Sequence, residues 1–364
     1  MNTEYIMQMR PWFGEEEKKA ICEYMDSDGF LTEFKLTEKF ENMIASYTGS
    51  KNCIAVNNGT ISMTIAAIAL DLKAGDEVIV PNYTMIATPN AFRFLGVKPI
   101  FVDVDPNTLC LDWRKVADSL TKKTKAVVLV SANGRYPSKD IQEIKDFCSE
   151  KEIYLIEDAA QSLGSFYPNK KHIGTEGIIG SFSFSAPKII TTGQGGALVT
   201  NNDEIAAKIR RLKDFGRSSG GNDIHNTIGY NFKFTDLQAC IGIEQMKKLN
   251  YRVELKRKIK NSYIKHLRGV EGIKLFDQDL VNTTPWFIDS VCDSRDELVK
   301  FLHTNSIGSR PMYPPINEQI AYSQPGHYPV AKKIGQDGLW LPSSSQLRYS
   351  DILRICNAIR DFYE

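Results

Sequence analysis

The chain has 364 residues, 42% of them hydrophobic, with 24% charged residues and a formal net charge of +1. These values are typical of a globular protein of about two domains, and they leave no bulk charge that would attract nucleic acid or an anionic membrane. We therefore expect a small-molecule partner, with neither nucleic acid nor a membrane as a partner.

The cysteine and histidine usage argues against structural disulfides and metal sites. The seven cysteines are scattered and never form a C-x-x-C pair, and the five histidines show no ligand spacing. The first ten residues lack the apolar core of a signal peptide, and no window reaches the roughly 18 apolar residues of a membrane span. These features predict a cytoplasmic protein with reduced thiols and no bound metal.

Two amphipathic helices are predicted at the start of the chain. The first covers Gly14 to Met25, and the second is capped by Thr37 and ends at Gly49. Cys53 to Val56 then form a short apolar run of the kind that makes a buried strand.

A tight turn, Asn57-Asn58-Gly59-Thr60, joins this strand to an apolar helix from Ile61 to Leu70. Free backbone N–H groups and the positive end of the helix dipole meet at such a turn, and Thr60 adds a hydroxyl donor. A phosphate would fit there, although many turns of this type in α/β proteins bind nothing.

Strands and helices then alternate as far as residue 156. The strands are rich in Val and Ile on both faces, as in a parallel sheet that is covered by helices on both sides. Open sheets of this type bind ligands at the carboxyl ends of their strands. The predicted strands are Glu77 to Val80, Pro99 to Val104, Ala126 to Val130 and Ile153 to Ile156, and the predicted helices lie around Thr84 to Leu95, near Trp113 to Leu120 and over Lys139 to Ser149.

An acidic residue, Asp158, stands at the carboxyl end of the last of these strands. A buried carboxylate in this position is costly unless it meets a positive partner, which would be a protonated ring nitrogen, a metal or an arginine. The simpler alternative is that Asp158 caps the next segment.

A single lysine, Lys188, lies between the hydroxyl-bearing strand that contains Ser181 and Ser183 and the glycine cluster 193–196. Weakly polar surroundings lower the pKa of an amine, and a neutral amine condenses with a carbonyl to form a Schiff base. The alternative is a surface lysine beside a glycine-rich turn. Together, the phosphate-type turn, Asp158, the serines and Lys188 suit pyridoxal phosphate, which needs a lysine, a carboxylate and a phosphate site.

The rest of the chain changes character at about Gly272. Before it come a strand over Ala197 to Thr200, a helix over Asp203 to Lys213, a polar stretch at 222–227 that is predicted to be mobile, and one long helix capped by Thr235 or Asp236. The cations of this helix are interpreted as a solvated face, not as a nucleic-acid site; they are Lys256, Arg257, Lys258 and Lys260.

We predict a large domain over 1–240, the connecting helix over 241–270 and a small C-terminal domain over 271–364.

A series of motifs along almost the whole chain resembles the DegT/DnrJ-type nucleotide-sugar aminotransferases of fold type I. The motifs are Gly29-Phe-Leu-Thr32, Phe40-Glu41, Asn58-Gly-Thr60, Pro81-Asn-Tyr-Thr84, Glu157-Asp-Ala-Ala-Gln161, Phe182-Ser-Phe184, Lys188, Gly193-Gln-Gly-Gly196, Gly229-Tyr-Asn231, Gln238-Ala239 and Leu341-Pro342. The resemblance implies an α/β fold: a large domain whose mixed, mostly parallel sheet is sandwiched by helices, and a smaller C-terminal α+β domain.

The resemblance also implies site residues. Lys188 would be the catalytic residue that forms the Schiff base with pyridoxal 5'-phosphate, which passes through the pyridoxamine phosphate form, and it would then move protons. Asp158 would hold the ring nitrogen, Gln161 would lie near the ring hydroxyl, and the phosphate would be bound by Gly59, Thr60 and Ser183.

Three further positions follow from the resemblance. Asn231 would reach the site of the neighbouring subunit, which implies a homodimer with a shared active site. Met85 stands where the family often has an aromatic residue against the cofactor ring, and Arg310 and Tyr313 would contact the substrate. The chain also departs from the family at 131–135, where many members have His-x-x-Gly, and at Gln194, which replaces an acidic residue.

The implied reaction moves the amino group of glutamate to C4 of a nucleotide-linked 4-keto-6-deoxy sugar, as in enzymes of the perosamine or viosamine type. The segments 190–193 and 309–311 resemble those members most. The alternatives are a C3-keto sugar aminotransferase and a transaminase of a small ketone. A sugar 3-dehydratase would carry histidine in place of Lys188, and a non-catalytic regulatory protein would be expected to lose Lys188 or Asp158.

Overall fold

The computed structural model describes residues 4–218 and 223–364. Its helices are α1 (Glu15–Asp26), α2 (Lys35–Thr48), α3 (Gly59–Ala69), α4 (Ala87–Arg93), α5 (Trp113–Val116), α6 (Ile141–Glu150), α7 (Asp203–Lys213), α8 (Asp236–Lys247), α9 (Leu249–His266), α10 (Arg295–Thr304), α11 (Pro329–Asp337) and α12 (Tyr349–Tyr363). Its strands are β1 (Asn52–Val56), β2 (Glu77–Pro81), β3 (Lys98–Val102), β4 (Thr124–Val130), β5 (Tyr154–Asp158), β6 (Ile179–Ser183), β7 (Gly196–Thr200), β8 (Ile273–Leu275), β9 (Ile288–Cys292), β10 (Arg310–Pro311) and β11 (Gly338–Leu341).

The larger sheet has the strand order β1, β7, β6, β5, β4, β2, β3. Strand β7 pairs antiparallel with both β1 and β6, and the remaining pairs are parallel. Successive residues face opposite sides, so Val127 belongs to the core cluster that includes residues of α2, α6 and α8, while Val128 belongs to the cluster that includes residues of α3, α4 and α7. The prediction of a mixed, mostly parallel sheet between two layers of helices is confirmed.

The smaller sheet is antiparallel and has the order β10, β11, β9, β8. One face packs on α9, α10 and α12 through an aliphatic cluster that includes Ile288, Leu302 and Ile355. An aromatic cluster joins the two sheets, with Tyr83 on one side and Trp286 and Trp340 on the other. The predicted smaller α+β region is therefore present, whereas the domain limits at residues 240 and 270 remain a prediction.

Within residues 4–218 and 223–364, none of the helices has both the length and the apolar character that a transmembrane segment requires. The polar stretch predicted at 222–227 begins outside the described residues, at Asn222.

The structure corrects the predicted cap of α2. The helix begins at Lys35, and Thr37 lies inside its first turn. The carboxylate of Asp236, from the start of α8, accepts hydrogen bonds from the backbone N–H groups of Phe34, Leu36 and Thr37 at 2.8 to 3.0 Å. The Thr37 hydroxyl also donates to Asp236, at 2.7 Å, so a residue that is remote in sequence satisfies the helix terminus.

The predicted long helix after Thr235 is two helices, α8 and α9, which are separated at Lys248. The interpretation of its cations as a solvated face is wrong for Lys256 and Lys260, which are 1% and 0% exposed. Both lie on the same face of α9 as the apolar residues Val253, Ile259 and Tyr263, at helical spacing. They are directed inward because the interior offers backbone carbonyls and a carboxylate.

Candidate active site

The carboxyl end of β5 carries two adjacent carboxylates, Glu157 and Asp158, which face opposite sides of the sheet. Glu157 is fully buried and accepts four hydrogen bonds of 2.6 to 2.8 Å, from the Tyr167 hydroxyl and the backbone N–H groups of Gly174, Glu176 and Gly177. Its acceptor capacity is therefore largely used by the fold, which marks it as a structural residue.

Asp158 has a different environment. It accepts bonds from the Thr88 hydroxyl at 2.7 Å and from the Ala160 N–H at 3.2 Å, and the Thr84 hydroxyl lies 3.2 Å from that of Thr88. Burial raises the pKa of Asp158, although Thr88, Ala160 and the nearby Lys188 oppose the shift. This carboxylate retains acceptor capacity for a cationic partner such as a protonated ring nitrogen.

Lys188 lies on the turn that follows β6, and its backbone N–H donates to the Ser185 carbonyl at 3.0 Å. Its Nζ lies 4.2 Å from the ring centroid of Trp286, and the indole N–H of Trp286 donates to the Pro187 carbonyl at 2.8 Å. Desolvation lowers the pKa of Lys188 to about 8, while the negative charge of Asp158 acts in the opposite direction. The side chain keeps partial exposure, so a small molecule can reach a readily deprotonated amine.

The predicted phosphate turn forms the N-terminus of α3. The Asn58 side chain accepts the Ile61 N–H at 2.9 Å, and α3 begins at Gly59, with Thr60 exposed in its first turn. A Cβ on Gly59 would lie 2.9 Å from the Cβ of Ser183, so glycine allows β6 to approach the helix terminus. The N-terminus of α3 thus brings backbone N–H groups and the residue Thr60 close to Ser183, and this set of donors fits a phosphate.

Gln161 contacts the segment that departs from the family pattern. Its side-chain oxygen accepts the Asn133 N–H at 2.6 Å. Asn133 itself has φ 54°, a left-handed conformation that asparagine tolerates, and its side chain bonds both the N–H and the carbonyl of Phe287. Gln161 is thus held against the junction of the two sheets.

The two predicted substrate residues lie beside the aromatic cluster. The guanidinium of Arg310 lies 5.5 Å from the Trp340 ring, and the Tyr313 ring packs edge-on against Trp340 at 4.7 Å. Burial raises the pKa of Tyr313 to about 12, with Arg310 opposing the shift and Asp158 adding to it. Tyr313 is therefore close enough to feel the charges of both Arg310 and Asp158.

Met85 and Asn231 lie further out. Met85 is 46% exposed, and its carbonyl accepts the N–H of Thr88, the residue that bonds Asp158. Asn231 is exposed and forms a backbone bridge with Asp214. Electrostatic interactions therefore link Lys188 to Asp158, and they link Tyr313 to both Asp158 and Arg310. Gly59 contacts Ser183, whereas Asn231 lies at the surface.

Sequence reasoning missed Thr88, Trp286 and Arg252 as parts of this region. The sequence contains a signal for Thr88, because it follows Thr84 by four residues, and this spacing places a second hydroxyl on the same face of a helix. The sequence also contains a signal for Arg252, since this residue lies with Lys256 in the apolar stripe of α9. Trp286 had none, because it precedes a strand that is distant in sequence from Lys188.

The fold and the lysine and carboxylate pair define an enzyme of the aminotransferase class. In agreement, residues 11–360 match the DegT/DnrJ/EryC1/StrS aminotransferase family. The chain belongs to this family and is an aminotransferase, a class of enzyme that works with pyridoxal phosphate.

Relatives and solved structures match over nearly the whole chain. The chain is 32% identical to the GDP-perosamine synthase of Escherichia coli O157:H7, with 99% of each chain covered. It is also 32% identical to the GDP-perosamine synthase of Vibrio cholerae, with 95% of this chain and 96% of the relative covered. The aminotransferase TlmJ from Streptoalloteichus hindustanus superposes with a TM-score of 0.92 at 30% identity, with 98% of both chains covered.

Proposed function

We propose that this enzyme transfers the amino group of glutamate to C4 of a nucleotide-linked 4-keto-6-deoxy sugar, for the synthesis of glycans. Full-length similarity to two GDP-perosamine synthases supports the sugar substrate. The observation that carries the reaction class is Lys188, whose pKa is lowered to about 8, at a position where the charge of the buried carboxylate of Asp158 acts on its amine.

The residues described above fit the cofactor. Pyridoxal phosphate, when bound, supplies an aldehyde that accepts an amino group and a ring that withdraws electrons from the reacting carbon. The N-terminus of α3 and the hydroxyls of Thr60 and Ser183 would hold the phosphate, and Asp158 would pair with the ring nitrogen. Gln161 would face the ring hydroxyl, and Met85 would cover one face of the ring.

Lys188 has two tasks in this proposal. Its Nζ would hold the cofactor covalently, and as a neutral amine it would take the proton from Cα of glutamate in the first half-reaction and, in the second, give a proton to C4 of the sugar. A pKa of about 8 leaves a useful fraction of neutral amine near neutral pH. Arg310 and Tyr313 would contact the substrate at the mouth of the site.

A shared active site in a homodimer and a cytoplasmic location belong to the same proposal. The exposed position of Asn231 suits a residue that contributes to the site of a second copy. The location rests on the scattered cysteines of the sequence.

The first test compares the wild type with Lys188→Ala and with Lys258→Ala, an exposed lysine of α9. With added pyridoxal phosphate, the wild type and Lys258→Ala should show the visible absorbance of covalently bound cofactor, and glutamate should convert it. Lys188→Ala should show neither effect. A wild type without visible absorbance would contradict the proposed cofactor chemistry.

The second test identifies the acceptor. After conversion by glutamate, the enzyme is mixed with nucleotide-linked 4-keto sugars, nucleotide-linked 3-keto sugars and simple ketones. Recovery of the initial absorbance with a 4-keto sugar is expected. Recovery with a 3-keto sugar or a simple ketone alone would replace the proposed substrate by that one.

A further inference from the structure

The two backbone carbonyls that flank Lys188 are each held by a side chain from another part of the chain. The Pro187 carbonyl accepts the indole N–H of Trp286 at 2.8 Å. The Ile189 carbonyl accepts a guanidinium N–H of Arg252, on α9, at 3.0 Å. The peptide segment that carries Lys188 is therefore fixed on both sides of the residue itself.

Helix α9 supports both contacts. Arg252 and Lys256 stand four residues apart on its buried face, where they are 2% and 1% exposed. Arg252 also donates to the Trp12 carbonyl at 2.6 Å, so its guanidinium is held from a second direction. Lys256 Nζ donates to the carbonyl of Trp286 at 2.8 Å and to that of Ser343, which fixes the backbone behind the indole.

The Trp286 ring also defines where the amine of Lys188 lies. A cation over an aromatic face is attracted by the ring quadrupole, and Nζ lies 4.2 Å from the ring centroid. The ring is held by the stacked Phe287, at 3.9 Å between centroids, and by Trp340, at 5.8 Å. Asp158 is the charged group that acts on the Lys188 amine, and the amine of Lys256 donates to the Trp286 and Ser343 carbonyls.

We propose that Trp286 and Arg252 are positioning residues, which together with α9 set the direction of the Lys188 side chain toward the reacting carbon. The role of Lys188 in this inference rests on the proposed function. A lysine side chain has many rotamers, and restricting them keeps the amine within reach of the atoms between which it moves a proton. Trp286→Phe removes the indole N–H, Trp286→Leu removes the whole ring, and Arg252→Met removes the guanidinium contact.

The first measurement uses the protein without cofactor, so it does not depend on activity. Lys188 is acetylated with acetic anhydride at a series of pH values, and its modification is followed by mass spectrometry. In the wild type the rate should rise through a pKa of about 8. In Trp286→Leu and Arg252→Met the amine gains access to water, so the apparent pKa should shift upward toward the ordinary lysine value. Desolvation is the largest cause of the lowered pKa, so in Trp286→Leu the gain of water should outweigh the lost attraction of the ring.

The second measurement follows the conversion of bound pyridoxal phosphate by glutamate in a single turnover. Trp286→Leu and Arg252→Met should slow this step about tenfold or more, because a small misplacement of a reacting group is costly, while the cofactor stays bound. Trp286→Phe keeps a ring face beneath the amine and should lie between Trp286→Leu and the wild type.

Two matched controls separate positioning from general damage. Arg257→Met removes another arginine of α9 whose guanidinium bonds a backbone carbonyl, that of Thr283 at 3.1 Å, away from Lys188. Trp113→Phe changes a partly buried tryptophan that packs on Phe147. Both should match the wild type in labelling and turnover, and thermal unfolding of every variant verifies that it is folded.

The outcomes are distinguishable. If folded Trp286→Leu and Arg252→Met give the labelling profile and turnover of the controls, the positioning role is wrong. If the wild type itself does not react with glutamate, the proposed function fails, and the labelling profiles still decide whether these residues orient Lys188.

Discussion

Glu157 and Asp158 differ in role although they are neighbours and chemically alike. The interior supplies Glu157 with four donors, whereas Asp158 accepts bonds from Thr88 and Ala160 and feels the charge of Lys188. A saturated carboxylate stabilises the fold, and one with free lone pairs is available to a ligand.

Amide substitutions should separate these two roles. Glu157→Gln turns an NH2 group toward N–H donors and should lower the free energy of unfolding by about 1 to 3 kcal/mol, with turnover per folded molecule retained. Asp158→Asn should retain most of the stability of the wild type, but its reaction with glutamate should be about 100-fold slower. The reason is that the negative charge that would pair with the ring nitrogen of the cofactor is lost.

The measurements are urea unfolding and single-turnover absorbance on both variants. The role of Asp158 would be contradicted by a folded Asp158→Asn protein that reacts with glutamate at the wild-type rate. Equal losses of stability in both variants would contradict the structural assignment of Glu157.

At the scale of the element, α9 is a helix with cations inside an apolar stripe. Burial, with a smaller contribution from the charge of Arg252, lowers the pKa of Lys256 to about 7. Between that value and the ordinary 10.5, the unfolded chain binds a proton that the folded chain does not, so this lysine makes the free energy of unfolding rise with pH. The neutral amine still has two N–H groups for its two carbonyl partners.

Replacing Lys256 should therefore have a pH-dependent effect. Lys256→Met leaves the carbonyls of Trp286 and Ser343 without this donor and should cost about 1 to 3 kcal/mol at pH 7. The deficit should grow as the pH rises to 10, because the wild type gains up to about 1.4 kcal/mol per pH unit there and the variant does not.

Urea unfolding at pH 7, 8, 9 and 10 tests this, with Lys258→Met on the exposed side of α9 as the control. The control should follow the wild type at every pH. A stability difference between Lys256→Met and the wild type that stays constant from pH 7 to 10 would show that Lys256 does not titrate in this range.

At the scale of the whole molecule, the question is whether one chain completes its own site. Asn231 lies at the surface of the chain, and Lys188 lies beside Trp286 at the junction of the two sheets. If each site takes Asn231 from a second copy, a mixed dimer of a Lys188 variant and an Asn231 variant carries both lesions in one site and leaves the other site intact.

Mixing two inactive variants tests this arrangement. Lys188→Ala and Asn231→Ala should each be inactive alone. After unfolding and refolding together in equal amounts, half of the dimers are mixed and each has one intact site, so about a quarter of the wild-type activity should return. Refolding each variant alone is the control, and no recovery in the mixture would mean that each site takes Lys188 and Asn231 from the same chain.

Much of the fold could be predicted because its signals are local. Buried strands such as β4 and β5 are apolar runs between turn residues, and α7 shows the helical period at its predicted limits. The cap of α2 could not be predicted, since Asp236 is remote in sequence and replaces the local candidate Thr37. The buried cations of α9 were misread because charge usually indicates solvent exposure.

The sequence alone determined the alternation of strands and helices, the turn at Gly59 and the choice of Lys188 and Asp158, because backbone propensity and the chemistry of single side chains are local properties. Three features could be seen only in the packed structure: Trp286 lies beneath Lys188, Arg252 and Lys256 face inward, and Glu157 is saturated while Asp158 is not. Each of these depends on contacts between segments far apart in the chain, and hydrogen-bond partners and solvent access exist only after those segments pack.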